Sequence, residues 1–137
     1  MIKFRRLKTS DKKNVEALFE KSKDKIVKID ARSLVKDKNC NCLVIENDKK
    51  IIGFGALIIH QVPTKGKMGK IEDIMVDSDY RGHGLGKKMM QELIKIAKNK
   101  KNKTVNLTSH PKRVEARKLY VSMGFELLET GVFRLEL

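Results

Sequence analysis

An α/β domain built on one mixed sheet is the fold class this chain predicts, on three observations. Strand-like and helix-like segments follow the order β-α-α-β-β-β-α-β-α-β-β, with no internal repeat and no linker. Residues 70–108 read strand, crossover helix, strand, the pattern of a parallel unit, whereas the segments either side of Asn47-Asp48 read as an antiparallel hairpin. A chain of 137 residues buries roughly two thirds of its unfolded surface, so one domain over 1–137 needs no disulfide or metal staple.

Each element has its own signal. Ile2 and Phe4 alternate with Lys3 and Arg5, which predicts a strand over 2–7. Thr9-Ser10-Asp11 supplies an N-cap, and Val15, Leu18 and Phe19 recur at helical spacing, giving a helix over 11–23. Residues 21–28 are polar and loop-like, and 30–35 read as a short second helix. Residues 42–46 and 50–61 are the arms of the hairpin, and 62–66 a loop. Residues 70–76 lack a turn former and carry Ile71, Ile74, Met75 and Val76, which reads as a strand. A Gly- and Asp-rich loop covers 77–86. Leu85, Met89, Leu93 and Ile96 then mark an amphipathic helix over 85–98. Residues 104–108 form a strand, and Pro111 opens a helix over 112–122 that Gly124 ends. Two further strands, 125–128 and 132–137, are joined by Glu129-Thr130-Gly131. The expected sheet has six to seven strands flanked by about four helices.

Composition narrows the class. Lys+Arg number 31 and Asp+Glu 17, a net charge of +14 that attracts polyanions. Of these bases 24 are Lys, often beside Asn as in Lys98-Asn99-Lys100, a pattern that A-rich codons also produce. Phosphate- and base-reading surfaces favour the planar fork of Arg. Few aromatics and no zinc-finger, basic-zipper or aromatic RNA-binding motif argue against a nucleic-acid partner. Cys40 and Cys42 lack the further ligands of a structural zinc site, so they read as reduced thiols and no metal is expected. No apolar run reaches the roughly 18 residues of a membrane span, and the N-terminus lacks the apolar core of a secretory signal. A cytoplasmic protein without a membrane partner is the expectation. The residues leave open whether it works alone or as a homodimer.

Asp79-Tyr80-Arg81-Gly82-His83-Gly84-Leu85-Gly86-Lys87 is the most informative stretch. Three alternating glycines leave backbone N–H groups uncovered at a strand-to-helix junction, where the helix dipole also favours an anion. Arg81 and Lys87 add charge. The spacing is neither that of a P-loop nor that of a dinucleotide fingerprint. Together with Ala116-Arg117-Lys118-Leu119-Tyr120-Val121-Ser122-Met123-Gly124-Phe125, it resembles the two signature segments of the GNAT superfamily of N-acetyltransferases. The motif-level resemblance covers about 50–125, and the element order matches from residue 2 onward. Ile71-Glu72-Asp73-Ile74-Met75-Val76 is similar to the acidic strand of glucosamine-6-phosphate N-acetyltransferases. Asn106 to Arg113 departs from that subfamily and looks more like small uncharacterised bacterial-type acetyltransferases, with Arg113 where many members have Asn.

The resemblance implies the GNAT fold and transfer of an acetyl group from acetyl-CoA to a primary amine. It implies that Arg81, Gly82, His83, Gly84, Leu85, Gly86 and Lys87 hold the pyrophosphate. The backbone of Ile74, Met75 and Val76 would run beside the pantetheine and offer an N–H to the oxyanion. Glu72 is the candidate base, through water, since burial in a cleft makes a carboxylate more basic. Strict alternation puts Glu72 with Lys70, Ile74 and Val76, and Asp73 opposite with Ile71 and Met75, unless a bulge intervenes. Tyr120 is the candidate acid, since a phenol can protonate a departing thiolate. Asp73, His110 and Arg113 are candidates for the acceptor side, and His60 could line it as well as His110. The net charge and the basic segments 63–67 and 110–113 point to an acceptor with a negative group, such as an amino-sugar phosphate. The competing readings are a protein Lys or N-terminal acetyltransferase, a CoA-binding module without turnover, and a basic nucleic-acid-associated module.

Overall fold

A two-residue turn sets the register of the first hairpin. Asp48 and Lys49 have φ of 49° and 69°, the paired positive values that a type I′ turn requires and that match the twist of the flanking strands. In the computed structural model, which describes residues 1–23 and 25–137, the arms of this hairpin are β2 (Cys40–Asn47) and β3 (Lys50–Val62). β1 (Ile2–Arg6) pairs antiparallel with β2, and β4 (Gly66–Val76) pairs antiparallel with β3. β5 (Thr104–Asn106) runs parallel to β4. The result is a mixed sheet of order β1-β2-β3-β4-β5. The α-helices are α1 (Lys12–Lys23), α2 (Ala31–Lys36), α3 (Leu85–Asn99) and α4 (Val114–Ser122). Short 3-10 turns precede α1 at Thr9–Asp11 and follow β4 at Ser78–Tyr80. Lys21–Lys23 belong to α1 rather than to the loop expected over 21–28, and Asp24, in that loop, lies outside the described residues. Among the described residues, no helix is long and apolar enough to cross a membrane.

The chain divides into two compact units, Met1–Leu107 and Thr108–Leu137. In the first, the sheet is covered on both faces. Val15, Leu18 and Phe19 of α1 pack with Val44, Phe54 and Ala56, and the rings of Phe19 and Phe54 meet edge to face at 5.2 Å. Gly55 lies between Phe54 and Ala56 and therefore points the other way, toward α3. A Cβ built there would stand 2.8 Å from both Ile74 Cδ1 and Met89 Cγ. Met89, Met90, Leu93 and Ala97 of α3 are buried, as the helical spacing predicts.

Arg5 ties β1 to the start of α1. Its guanidinium donates to both carboxylate oxygens of Asp11 (2.8 and 2.9 Å) and to Glu46 (2.9 Å), while Lys8 N–H also donates to Asp11. The Arg5 guanidinium, opposed by burial and assisted by Lys8 N–H, holds the Asp11 carboxyl below the usual carboxylate range. A lowered folded-state pKa gives stability that is complete above the ordinary Asp value of about 3.9 and is lost as pH falls through the lower one. Asp11→Asn is therefore expected to cost about 1–3 kcal/mol at pH 7. Its deficit in urea unfolding should shrink as pH falls below the ordinary Asp value. A deficit independent of pH would assign the loss to packing instead.

The Thr108–Leu137 unit contains α4 and its caps. The expected strands 125–128 and 132–137 do not form in it, so the sheet has five strands instead of six to seven. A three-residue hairpin closes through a left-handed residue at the end of its loop. Gly131 has no positive φ, and the loop carries only a local Thr130 N–H to Leu128 C=O bond of 3.1 Å. The strand expected over 104–108 ends at Asn106, while α3 and α4 fall within two residues of their expected bounds.

Candidate active site

Three features at one end of β4 build the site. The first is the limit of its pairing. β4 meets β5 only over Met68–Thr104, Gly69–Val105 and Lys70–Asn106. Among the described residues no strand lies beside that edge of β4 from Ile71 to Val76, so its outward backbone groups, apart from the Val76 carbonyl that Arg81 holds, are available to a ligand.

The second is a bulge. Phe54 pairs with Met75 and Ala56 with Glu72, so Gly55 alone opposes Asp73 and Ile74. Asp73 takes the left-handed backbone conformation this needs, with φ of 54°. The bulge overturns the expected facing. Directly paired residues share a face, and Phe54 and Ala56 are two apart, so Glu72 shares the α1 face with Met75. Ile74 turns to the α3 face, beside Met89. The alternation that set Glu72 with Ile74 and Val76, against Asp73 with Met75, is broken between them. Glu72 is half-exposed, and its carboxylate lies 3.2 Å from Lys70 Nζ. The spacing of two already placed Lys70 on its face. Asp73 is exposed.

The third is the glycine loop. β4 leads through Asp77 into the 3-10 turn and then to α3. Gly82 and Gly84 have φ of 84° and 76°, and Gly84 is the N-cap of α3. A Cβ built on Gly82, Gly84 or Gly86 would meet no protein atom within 4 Å, so the N–H groups of this turn are open to an anion. Arg81, His83 and Lys87 are exposed around it, and Leu85 is half-buried.

Asp77 fixes this loop, and residue patterns alone did not single it out. Its carboxylate is buried and accepts from Lys21 Nζ at 2.8 Å and from Asp79 N–H at 2.9 Å, with Lys50 Nζ at 3.8 Å. Burial raises the Asp77 carboxyl, but the Lys21 ammonium and Asp79 N–H outweigh it and hold the group below the usual range. Arg81 Nε donates to Val76 C=O at 3.2 Å, which folds its side chain back onto the end of β4. The signal that could have found Asp77 is Asp-Ser-Asp before the loop, the sequence of an Asx turn.

In the Thr108–Leu137 unit, the end of α4 explains the second signature segment. Phe125 N–H donates to Tyr120 C=O and Gly124 N–H to Val121 C=O, both at 3.0 Å, with Gly124 at φ 99°. This is a Schellman cap, in which glycine takes the left-handed position. The rings of Tyr120 and Phe125, the two residues the cap brings together, meet edge to face at 6.1 Å. Tyr-x-x-x-Gly-Phe is thus a helix stop that orients Tyr120. His110 is exposed; its Nδ1 accepts from Lys112 N–H at 3.0 Å, and its carbonyl accepts from Arg113 N–H at 3.0 Å. Arg113 is the N-cap residue of α4 and is exposed.

Two other sequence candidates fall elsewhere. His60 is exposed and pairs with Met68, toward the far end of the β3–β4 hairpin. Cys40 and Cys42 are free thiols with sulfurs 3.7 Å apart on β2. Burial, then Cys40, pushes the Cys42 thiol up to about 12, and Asp73 adds to the shift. Among the described residues, no group of three or more His, Cys, Asp or Glu side chains is arranged to hold a metal ion.

Residues 5–125 match the model of the acetyltransferase (GNAT) family. A glucosamine 6-phosphate N-acetyltransferase of Trypanosoma brucei brucei is 37% identical over 90 residues, 64% of this chain and 58% of that protein. A probable glucosamine 6-phosphate N-acetyltransferase of Oryza sativa subsp. japonica is 34% identical over 87 residues, 62% of this chain and 49% of that protein. The matched stretch thus spans about half to three fifths of these relatives. The crystal structure of a Trypanosoma brucei acetyltransferase superposes with a TM-score of 0.84 at 26% identity, covering 100% of both chains.

Proposed function

The chain belongs to the acetyltransferase (GNAT) family, whose members use acetyl-CoA, and we propose that it moves the acetyl group directly to the primary amine of a small anionic molecule, an amino-sugar phosphate first among them. The observation that carries this reading is the bulged, half-unpaired β4 running into a loop with two left-handed glycines. The acceptor class rests on the two amino-sugar phosphate relatives and on the net charge of +14. On this reading residues 1–137 act as one acetyltransferase domain.

The roles follow from chemistry. The amides of Gly82, His83, Gly84, Leu85, Gly86 and Lys87 take the pyrophosphate at the head of α3, with Arg81 and Lys87 adding charge. The backbone of Ile74, Met75 and Val76 runs beside the pantetheine, and an N–H there faces the thioester oxygen as it gains charge. Glu72 accepts the amine proton through a water once Lys70 is drawn aside. The amine nitrogen bonds to the carbonyl carbon, the carbon–sulfur bond breaks, and Tyr120 supplies the proton that the thiolate takes up. Asp73, His110 and Arg113 serve the acceptor side.

Thiol release from acetyl-CoA tests this against a panel of glucosamine 6-phosphate, glucosamine, spermidine and a Lys-containing peptide. The anionic amine should give the highest kcat/KM, and its advantage should shrink as salt rises. A best substrate that is a polyamine or a basic peptide would defeat the acceptor assignment, and no thiol release with any amine would defeat the enzyme. In the same assay Glu72→Gln should lower kcat by roughly 10–1000-fold, more than Asp73→Asn does. The reverse order would move the base to Asp73.

A further inference from the structure

Two charged side chains stand at the end of rows that are otherwise apolar. Cys42, Ala56 and Glu72 pair in one row across β2, β3 and β4, and Cys40, Ile58 and Lys70 in the next. Paired residues share a face. Cys42 and Ala56 belong to the core that α1 covers, with Cys40 and Ile58 packed against it. Lys70 and Glu72 are therefore the β4 ends of two rows that begin in the core, and each side chain is 41% exposed. Lys70 is also the last residue of β4 to pair with β5, and Glu72 lies on the stretch beyond it. The Lys70 ammonium thus sits 3.2 Å from the carboxylate of the candidate base, where the open edge begins.

This pair differs from the ion pairs of Arg5, Lys12 and Lys21. Those cations rest on Asp11, Glu16 and Asp77, carboxylates that are buried and that also accept from the N–H groups of Lys8, Ile29 and Asp79. They hold segments of the chain together. Lys70 and Glu72 lie on one strand and join nothing. An ion pair this exposed adds little stability, and apolar residues at the ends of apolar rows would serve the fold at least as well. An acceptor anion needs a cation near the amine, and the basic segment 63–67, expected at the cleft mouth, lies away from Glu72. Lys67 is about 17 Å from Glu72 along β4. Alternation puts it on the opposite face, and its Nζ donates to Lys100 C=O at 3.0 Å. Lys70 is two residues from Glu72 on the same face, and among the described residues its one ion-pair partner is Glu72 itself.

We propose that Lys70 sets acceptor specificity: its ammonium leaves Glu72 for the phosphate monoester of an amino sugar, and the Glu72 carboxylate is then free to take the amine proton. This rests on the acetyl transfer and the acceptor class proposed above, and couples the two. A lysine suits the exchange because its ammonium is a point charge on a flexible stem, able to swing from one anion to another. A phosphate monoester carries more charge than a carboxylate and draws the ammonium to itself. No covalent bond changes in this step, and the proton still passes from the amine through water to Glu72. Binding at the remote phosphate readies the base, whereas a neutral amine of similar size binds without that trigger. Selection then falls on kcat as well as on KM.

Thiol release at saturating acetyl-CoA, with glucosamine 6-phosphate and with glucosamine, tests the proposal on the unmodified chain, Lys70→Met and Lys70→Arg. Lys70→Met should lower the ratio of the two kcat/KM values by about 10–100-fold, the range for loss of a charge-assisted hydrogen bond. Its kcat for glucosamine should rise by about 2–5-fold, as an exposed ion pair no longer holds Glu72. A structural role alone would lower both substrates alike. Lys70→Arg also binds phosphate and should keep the ratio within about threefold of the unmodified chain. Inorganic phosphate should raise the unmodified chain's kcat for glucosamine by about 2–5-fold, where sodium chloride of equal ionic strength does not, and should leave Lys70→Met unaffected. The phosphate effect on the unmodified chain is readable even if a variant fails to fold. An unchanged ratio in Lys70→Met, an equal loss for both amines, or no effect of phosphate on the unmodified chain would overturn the role of Lys70, while a preference for the anionic amine in that chain would still uphold the acceptor class. A best substrate that is a polyamine or a basic peptide would overturn both.

Discussion

Tyr120→Phe is expected to lower kcat by roughly 10–1000-fold while leaving the affinity for CoA within about threefold, the range for loss of a general acid. The substitution removes one oxygen and keeps the ring. The edge-to-face contact with Phe125 and both bonds of the Schellman cap persist, so α4 still stops at Gly124. What is lost is the proton for the departing thiolate. Single-turnover measurement with acetyl-CoA and the best acceptor of the panel separates the two quantities. A companion change, Gly124→Val, keeps the hydroxyl but forces a β-branched residue into a left-handed position, which costs more than about 1 kcal/mol. It should misplace Tyr120 and lower kcat as well. If Tyr120→Phe turns over at the unmodified rate while Gly124→Val fails, Tyr120 is a packing residue.

How far the sequence reaches is visible in β4 and α4. The strand, its acidic pair and the glycine loop after it are all readable, because apolar runs, turn formers and glycines at a helix start leave composition signals. The ion pair of Lys70 with Glu72 follows from their spacing of two. The bulge at Asp73 does not. It depends on how β3 and β4 register across Gly55, a non-local fact, and Asp is only mildly tolerant of positive φ. One inserted residue reverses the facing of everything beyond it, so the strict alternation that grouped Glu72 with Ile74 and Val76 failed there. The last two strands were read as short segments joined by Glu129-Thr130-Gly131. Local composition measures fitness for a pleated surface, and a ladder partner decides whether the strand forms. Asp77 escaped because its partner Lys21 lies 56 residues away.

Gly86→Val is expected to weaken CoA binding by about 10–100-fold without lowering the stability of the fold. The two effects are separable because of where Gly86 sits. It is in the first turn of α3 and has no positive φ, so the backbone accepts a side chain. A Cβ there would meet no protein atom within 4 Å. Valine in a helix is better than glycine by a few tenths of a kcal/mol, so the melting temperature should stay level or rise. The same Cβ and its two methyls would stand over the N–H groups that a pyrophosphate must approach, where only glycine leaves the backbone bare. Gly84→Val should also weaken CoA, but at φ 76° it strains the N-cap of α3, and its loss would mix strain with obstruction. Calorimetric titration with CoA beside thermal unfolding reads both quantities on one sample. Gly86→Val with unmodified affinity would remove the pyrophosphate from this turn. The glycines of 82–86 would then be required only to carry the chain from the 3-10 turn into α3.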